Sequence, residues 1–315
     1  MKPPLRFDDY VEQCLYASGT GFYSSGVGRA GRRTGDFITS PEVGPLFGAV
    51  LANAIDQWWD DLGRPDPFPV VDVGSGPGTL LRALEFASPR CAVAWELRSV
   101  DLAPGTTAQH SSELGQLDGA VVIANELLDN LPFRVVERTA EGWSEVYVEA
   151  GAEVLLPLDI APFGTETIEL EAGQRAPLLE QAQRWVESVR SAGAAHLLAF
   201  DYGASTTAEL ASRGGWLRTY RQHERGDDPY DQPGERDITT DIAIDQLPGP
   251  SGLETQAAFL RTWGIDELVE EGRRVWKKNA AAPNVAALRM RSRVTEAEAL
   301  LDPAGLGSWL AVHWC

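Results

Sequence analysis

The sequence predicts an α/β protein: a doubly wound sheet with an N-terminal helical cap and an inserted segment. Three observations predict it. From residue 69 to residue 200, short apolar runs alternate with stretches whose apolar residues fall at helical spacing. One of those runs enters a glycine turn that opens a helix, the strand–loop–helix unit of such sheets. The chain has 315 residues, 43% hydrophobic and 23% charged, enough for a full core without disulfide or metal staples.

Taken in order, residues 7–17 put Tyr10, Val11, Cys14 and Leu15 on one face of a short helix. Six glycines between Gly19 and Gly35 make a turning loop. Pro41-Glu42 opens a second helix, with Leu46, Phe47, Val50, Leu51 and Trp58 facing inward, which ends near Gly63. Residues 1–62 therefore read as the cap and 63–315 as the main domain. Pro69–Val73 is the first strand, followed by a helix carrying Leu80, Leu81 and Leu84. Ala92–Asp101, Ala120–Ala124 and Ala194–Phe200 are further strands, with a helix from Leu178 to Val189 before the last. Such runs suit parallel strands covered on both faces. The insertion is placed at about 206–250, and its polar stretch 221–241 reads as a long surface loop or lid. Val285–Arg291 and Trp309–Trp314 read as two late strands of the same sheet.

The glycine turn is Asp72-Val73-Gly74-Ser75-Gly76-Pro77-Gly78-Thr79-Leu80. Positions without a side chain let backbone N–H groups approach a ligand, and a helix start adds partial positive charge. Dinucleotides favour GxGxxG, whose third glycine lets the helix pack closely, but Thr79 stands in that place. Asp72, just before the turn, suits a ligand that carries an ammonium group. This points to S-adenosylmethionine (SAM), with a dinucleotide or an unliganded tight turn as the alternatives. Asp101 closes the second strand, 23 residues past Gly78, where a carboxylate can accept hydrogen bonds from both ribose hydroxyls.

Asn125 and Glu126 stand at the end of the third strand, where doubly wound sheets bind ligands. Asp129 follows Glu126 by three residues, so one helical turn puts both carboxylates on one face, able to clamp a cationic nucleophile. Helix capping by Asn125 with solvated acids beyond is the plainer alternative. Asp201-Tyr202-Gly203 repeats the pattern after the fourth strand, and Asp36 to Glu42 precede the second helix, where Thr39 or Ser40 can cap. The four histidines are too scattered for a triad, and the run Arg273 to Lys278 reads as a solvated face.

A net charge of −19 argues against nucleic acid and anionic membranes as partners and in favour of cationic ligands. The first residues carry prolines and carboxylates where a signal peptide has an apolar stretch. Three scattered cysteines, with no metal-ligand spacing, suggest a reducing, cytoplasmic setting and no metal site.

Together these motifs resemble the MidA-like family. They are Gly35 to Glu42 with Leu46-Phe47-Gly48, the Asp72–Leu80 turn, Asn125 to Pro132, Asp201-Tyr202-Gly203, Leu217 to Arg221, Asp237-Ile238-Thr239 and Asp302 to Gly307. The family comprises class I SAM-dependent methyltransferases with a Rossmann-like sheet, including a mitochondrial complex I assembly factor that dimethylates a protein arginine. The resemblance implies that Gly74, Gly76 and Gly78 line SAM, with Asp72, Ser75, Leu102 and Asn125 beside it and Asp101 on its ribose. It places the Asp36–Glu42 loop and Asn125-Glu126 at the transfer site. A guanidinium holds its proton until above ~12, so carboxylates must orient it and take that proton. Glu126, Asp129, Glu42 and Asp36 are the candidates. The expected partner is a cationic protein segment or a small-molecule methyl acceptor. Open alternatives are a small-molecule methyltransferase, an assembly factor with little catalysis, and a homodimeric assembly.

Overall fold

The computed structural model describes residues 3–25, 39–102, 110–111, 113–158, 170–222 and 224–315. Strand β1 (Leu5–Arg6) runs directly into helix α1 (Phe7–Tyr16), which buries the expected stripe. The expected second helix is split into α2 (Ser40–Val43) and α3 (Pro45–Asp61). At Gly44 the backbone is extended and pressed against Glu296, where a Cβ would come within 2.3 Å of the carboxyl carbon. Pro45, which lacks an N–H, restarts the helix.

Strand β2 (Phe68–Val73), helix α4 (Thr79–Ala87) and strand β3 (Trp95–Val100) follow as expected, except that Arg90–Val93 form a 3-10 turn ahead of β3. Strands β4 (His110–Ser111) and β5 (Val121–Asn125) extend the same sheet. Next come β6 (Arg134–Arg138), β7 (Trp143–Glu149), β8 (Ala152–Leu158) and β9 (Arg175–Leu178). They form a second, antiparallel sheet with β1, which the apolar patterning of the sequence does not reveal. Their short runs are half-buried and tied by cross-strand ion pairs such as Arg134–Glu145, so no clean apolar alternation marks them.

Helix α5 (Glu180–Ser191), strand β10 (His196–Asp201), strand β11 (Gly203–Ala204) and helix α6 (Thr207–Arg213) come next. The stretch 221–241 is not a free loop. Strand β12 (Leu217–Arg221) pairs with β13 (Glu224–Gly226) and β14 (Asp237–Thr240), and β15 (Ile242–Ala243) pairs with β11. All four residues of β14 are buried. The polar composition that suggested a loop belongs to the turn between β13 and β14.

Strand β16 (Gly252–Thr255) and helices α7 (Gln256–Thr262) and α8 (Ile265–Asn279) lead to α9 (Val285–Leu300) and the last strand, β17 (Leu310–Trp314). Val285–Arg291 is thus helix, not strand. Asn284 caps it by accepting the Ala287 N–H at 2.8 Å, and the alanines and Leu288 that follow favour helix.

The main sheet has the order β16-β17-β10-β5-β2-β3-β4. Strands β2, β3, β4, β5 and β10 run parallel, while β17 runs antiparallel to both its neighbours, β10 and β16, so the sheet is mixed. Successive strand residues face opposite cores. Val70, Val121 and Leu198 pack with α3, α4 and α7–α9, whereas Val71, Val122 and Leu197 pack with α1, α5 and the second sheet. The chain moves outward in one direction from β2 to β3 and in the other from β5 to β10. The crevice between the ends of β2 and β5 is therefore the topological switch point, where open α/β sheets bind ligands.

Candidate active site

Strand β2 delivers Asp72 and then the Gly74–Gly78 turn to that crevice. Gly74 and Gly76 have φ of +70° and +49°, a region costly for any residue with a Cβ. A Cβ at Gly74 would also lie 3.1 Å from Leu127 Cδ1. The Gly76 N–H donates to Asp101 Oδ2 at 2.8 Å, tying the turn to the end of β3. Asp72 is buried, and its Oδ2 has no hydrogen-bond partner. Burial first, then nearby Asp101, pushes its carboxyl up to about 8.

Strand β5 delivers Asn125 and Glu126. Glu126 has φ +54°, unusual for a residue with a side chain and a conformation that recurs at ligand sites. Its N–H is held by the Phe200 carbonyl at 2.8 Å. Its carboxylate accepts from the Asn125 amide at 2.9 Å, and that amide and the Ser40 N–H at the start of α2 both favour its charged form. Burial, with Asp129 adding like charge, pushes Glu126 well above the usual carboxylate range. The side chain remains open to solvent through the cavity mouth.

Both strand ends open on one cavity of about 490 Å³, walled on its far side by α1, α2 and Trp185 of α5. Among the described residues five carboxylates line it, Glu12, Glu42, Asp72, Asp101 and Glu126, and no Lys, Arg or His does. Two tyrosines complete the wall. Tyr16 and Tyr23 stack at 5.8 Å between centroids, 19° from parallel. Their hydroxyls donate to the Asn130 carbonyl at 2.9 Å and to Asn130 Oδ1 at 3.1 Å.

Of the residues singled out in the sequence, Glu42, Asp72, Gly74, Ser75, Gly76, Asp101, Leu102, Asn125 and Glu126 line this cavity. Gly78 does not: it stands behind the wall as the residue opening α4, at φ +73°. Asp36 lies outside the described residues. Asp129 is buried and turned away from the cavity. The expected helical turn is replaced by a 3-10 turn, Leu128–Asn130, which the positive φ of Glu126 sets at a new angle. Asp201 holds that turn by accepting the Leu128 and Asp129 N–H groups at 3.0 and 3.2 Å. Asp129 Oδ2 instead accepts from the hydroxyls of Tyr202 and Thr239. Asp129→Ala should therefore destabilise the fold by about 1–3 kcal/mol, because two buried hydroxyls lose their acceptor, and Asp129→Asn by less. Urea unfolding of both variants checks this.

Tyr16, Tyr23 and Glu12 escaped the sequence analysis. Tyr16 and Glu12 lie on α1 beside the stripe that marks its core face, and nothing in their spacing reveals that the helix edge borders a cavity.

Residues 50–249 match the model of a family described as "Putative S-adenosyl-L-methionine-dependent methyltransferase". The chain belongs to this family. The mitochondrial protein arginine methyltransferase NDUFAF7 of Danio rerio is 25% identical, with 85% of this chain and 75% of that protein covered. The Drosophila melanogaster homologue is 24% identical over 76% of this chain and 64% of its own length. Among solved structures, a Burkholderia thailandensis protein crystallised with S-adenosyl-homocysteine superposes with a TM-score of 0.79 at 25% identity, covering 98% of this chain and 87% of that one.

The protein is a SAM-dependent methyltransferase, and SAM is its cofactor. The cavity fits that ligand. Asp72 Oδ2, Ser75 Oγ and Asn125 Oδ1 are buried polar atoms without partners, all on residues that line it. An orphaned carboxylate oxygen suits an ammonium group, and the open backbone of Gly74–Gly76 leaves room for a close approach.

Proposed function

We propose that this methyltransferase acts on a guanidinium nitrogen of a protein arginine, with Glu126 orienting the acceptor and taking its proton. The observation that carries the reading is the cavity's lining: five carboxylates and two stacked tyrosines, with no opposing cation among the described residues. Such a wall offers no partner to an anionic acceptor and favours a delocalised cation, which draws the carboxyls toward their charged form and also gains from aromatic faces. The protein arginine methyltransferases among its relatives support the same acceptor.

When bound, SAM supplies a methyl group on a sulfonium, and the sulfur keeps the C–S electron pair as the acceptor nitrogen's lone pair takes the carbon. Asp72 would hold the cofactor's ammonium, Asp101 its ribose hydroxyls, and the Gly74–Gly76 backbone would lie against it. Glu42, whose carboxylate accepts from the Thr79 hydroxyl at the start of α4, offers a second oxygen to the guanidinium. Glu126 is suited to the proton step because burial makes it a stronger base than an exposed glutamate. Asp129 acts on Glu126 only through its charge.

Tyr23→Leu should raise the acceptor KM about fivefold or more, the worth of one cation–π contact, with SAM affinity within about twofold. Tyr23→Phe, which keeps the ring, should hold the KM near wild type. Steady-state transfer from labelled SAM to one peptide carrying arginine, lysine or citrulline at a single position tests the acceptor. Only the arginine peptide should be labelled; equal labelling of the lysine peptide sinks the guanidinium assignment.

A further inference from the structure

Between Arg273 and Arg293 lie seven of the chain's 27 cations and no carboxylate, although the chain as a whole carries −19. This stretch is the far half of the α8–α9 helical hairpin. From Arg273 to Thr295 only Ala287 is buried, so the arm is exposed on nearly every side. Arg273 pairs with Glu270 and Arg293 with Glu271. Among the described residues, Arg274, Lys277, Lys278, Arg289 and Arg291 form no ion pair. Two guanidinium carbons sit over rings: Arg289 over Phe86 at 5.2 Å from the centroid and Arg291 over Trp276 at 4.8 Å. Beside them Phe86, Val285 and Leu288 are 61%, 67% and 48% exposed.

We propose that this arm docks an acidic segment of the methyl-acceptor protein, whose cationic side chain enters the cavity. This rests on the reading of the cavity above as a site for a protein arginine. Charge complementarity is the first argument. At physiological salt, charges more than about 8 Å away are screened, so an approaching chain meets the local cations of the arm and not the net charge. Arginine presents a planar fork that matches a carboxylate two oxygens at a time. Continuity with the cavity is the second argument. Glu296 of α9 accepts the Leu46 N–H at 2.9 Å and packs against Gly44, next to the Pro41-Glu42 wall of the cavity. Arg289 is seven residues back along α9, about 10 Å from that contact. A polypeptide in the cavity therefore needs only a few residues to reach the arm. Single-stranded nucleic acid fits less well, because Phe86 and Trp276 each already carry an arginine over one face.

The test uses the full chain and a fluorescein-labelled polyglutamate peptide, followed by fluorescence anisotropy. Wild type should bind it with an affinity that falls steeply with salt. Arg274→Glu/Lys277→Glu/Lys278→Glu should weaken binding by about tenfold or more, with SAM affinity and thermal midpoint unchanged. No binding by wild type, or equal binding by the triple variant, overturns the proposal. Tighter binding of phosphatidylserine vesicles or single-stranded DNA through the same residues also overturns it. The peptide carries no arginine, so this result is independent of whether arginine is the methyl acceptor.

Discussion

Glu126→Gln should slow methyl transfer by about two to four orders of magnitude, the usual worth of a positioned base, while the SAM dissociation constant stays within about threefold. Glutamine keeps the shape and can still accept from the Asn125 amide, but it cannot take a proton from the acceptor. The loss should appear in kcat and kcat/KM alike. A stability change of the opposite sign should accompany it. The Glu126 carboxyl sits well above its ordinary range in the folded chain, so the folded state binds the proton more tightly than the unfolded state. Its contribution to stability therefore falls as pH rises from the unfolded value, about 4.3, toward the folded one. A neutral glutamine escapes that loss, and the variant should unfold at equal or higher temperature at pH 8. In wild type, kcat/KM for the acceptor should rise with pH as Glu126 ionises. Asp129→Asn should move that rise to lower pH by removing the neighbouring charge. If Glu126→Gln transferred methyl at the wild-type rate, its role as base would be lost.

The second large effect belongs to Asp72. Its carboxyl is pushed from 3.8 up to about 8, and one of its oxygens has no partner. With the folded value above the unfolded one, this group's contribution to the free protein's stability falls as pH rises from about 4 to about 8 and is level beyond. An ammonium from the cofactor reverses the preference by favouring the carboxylate. SAM binding should therefore expel a proton below pH 8 and tighten as pH rises, by up to about tenfold per unit. The window from pH 6 to 7.5 is informative, since an α-amine itself titrates near 7.7–8.0. Calorimetry in buffers of differing ionisation enthalpy reads the proton directly. Asp72→Asn should abolish the release and weaken SAM about tenfold or more at pH 7.5. Binding without proton release would separate Asp72 from the ammonium.

The parts of this site that the sequence revealed are those where chemistry demands a residue type at a fixed place on a strand end. Gly74 and Gly76 need backbone angles that other residues resist, and Asp72, Asp101 and Asn125-Glu126 each sit at a strand terminus. Their positions could be inferred once the strands were located. Asp129 was misread because helical spacing was assumed after Glu126, and the positive φ of Glu126 redirects the chain. Val285–Arg291 was misread because a short apolar run suits strand and helix alike, and the cap at Asn284 decided it. Tyr16 and Tyr23 were beyond reach, since their meeting depends on how the loop after α1 folds back. The resemblance added the order of the motifs along nearly the whole chain, which no single motif carries.

The most direct test of the arginine assignment is the chemical identity of the methylated atom. The full chain is incubated with methyl-deuterated SAM and cell extract, the small-molecule fraction is kept, the proteins are digested with a protease at mildly acidic pH, and the labelled species and atom are identified in both fractions by mass spectrometry. Label should appear on guanidinium nitrogens of arginine and be lost with Glu126→Gln. Label confined to a small molecule, or to lysine or a carboxyl oxygen, would contradict it.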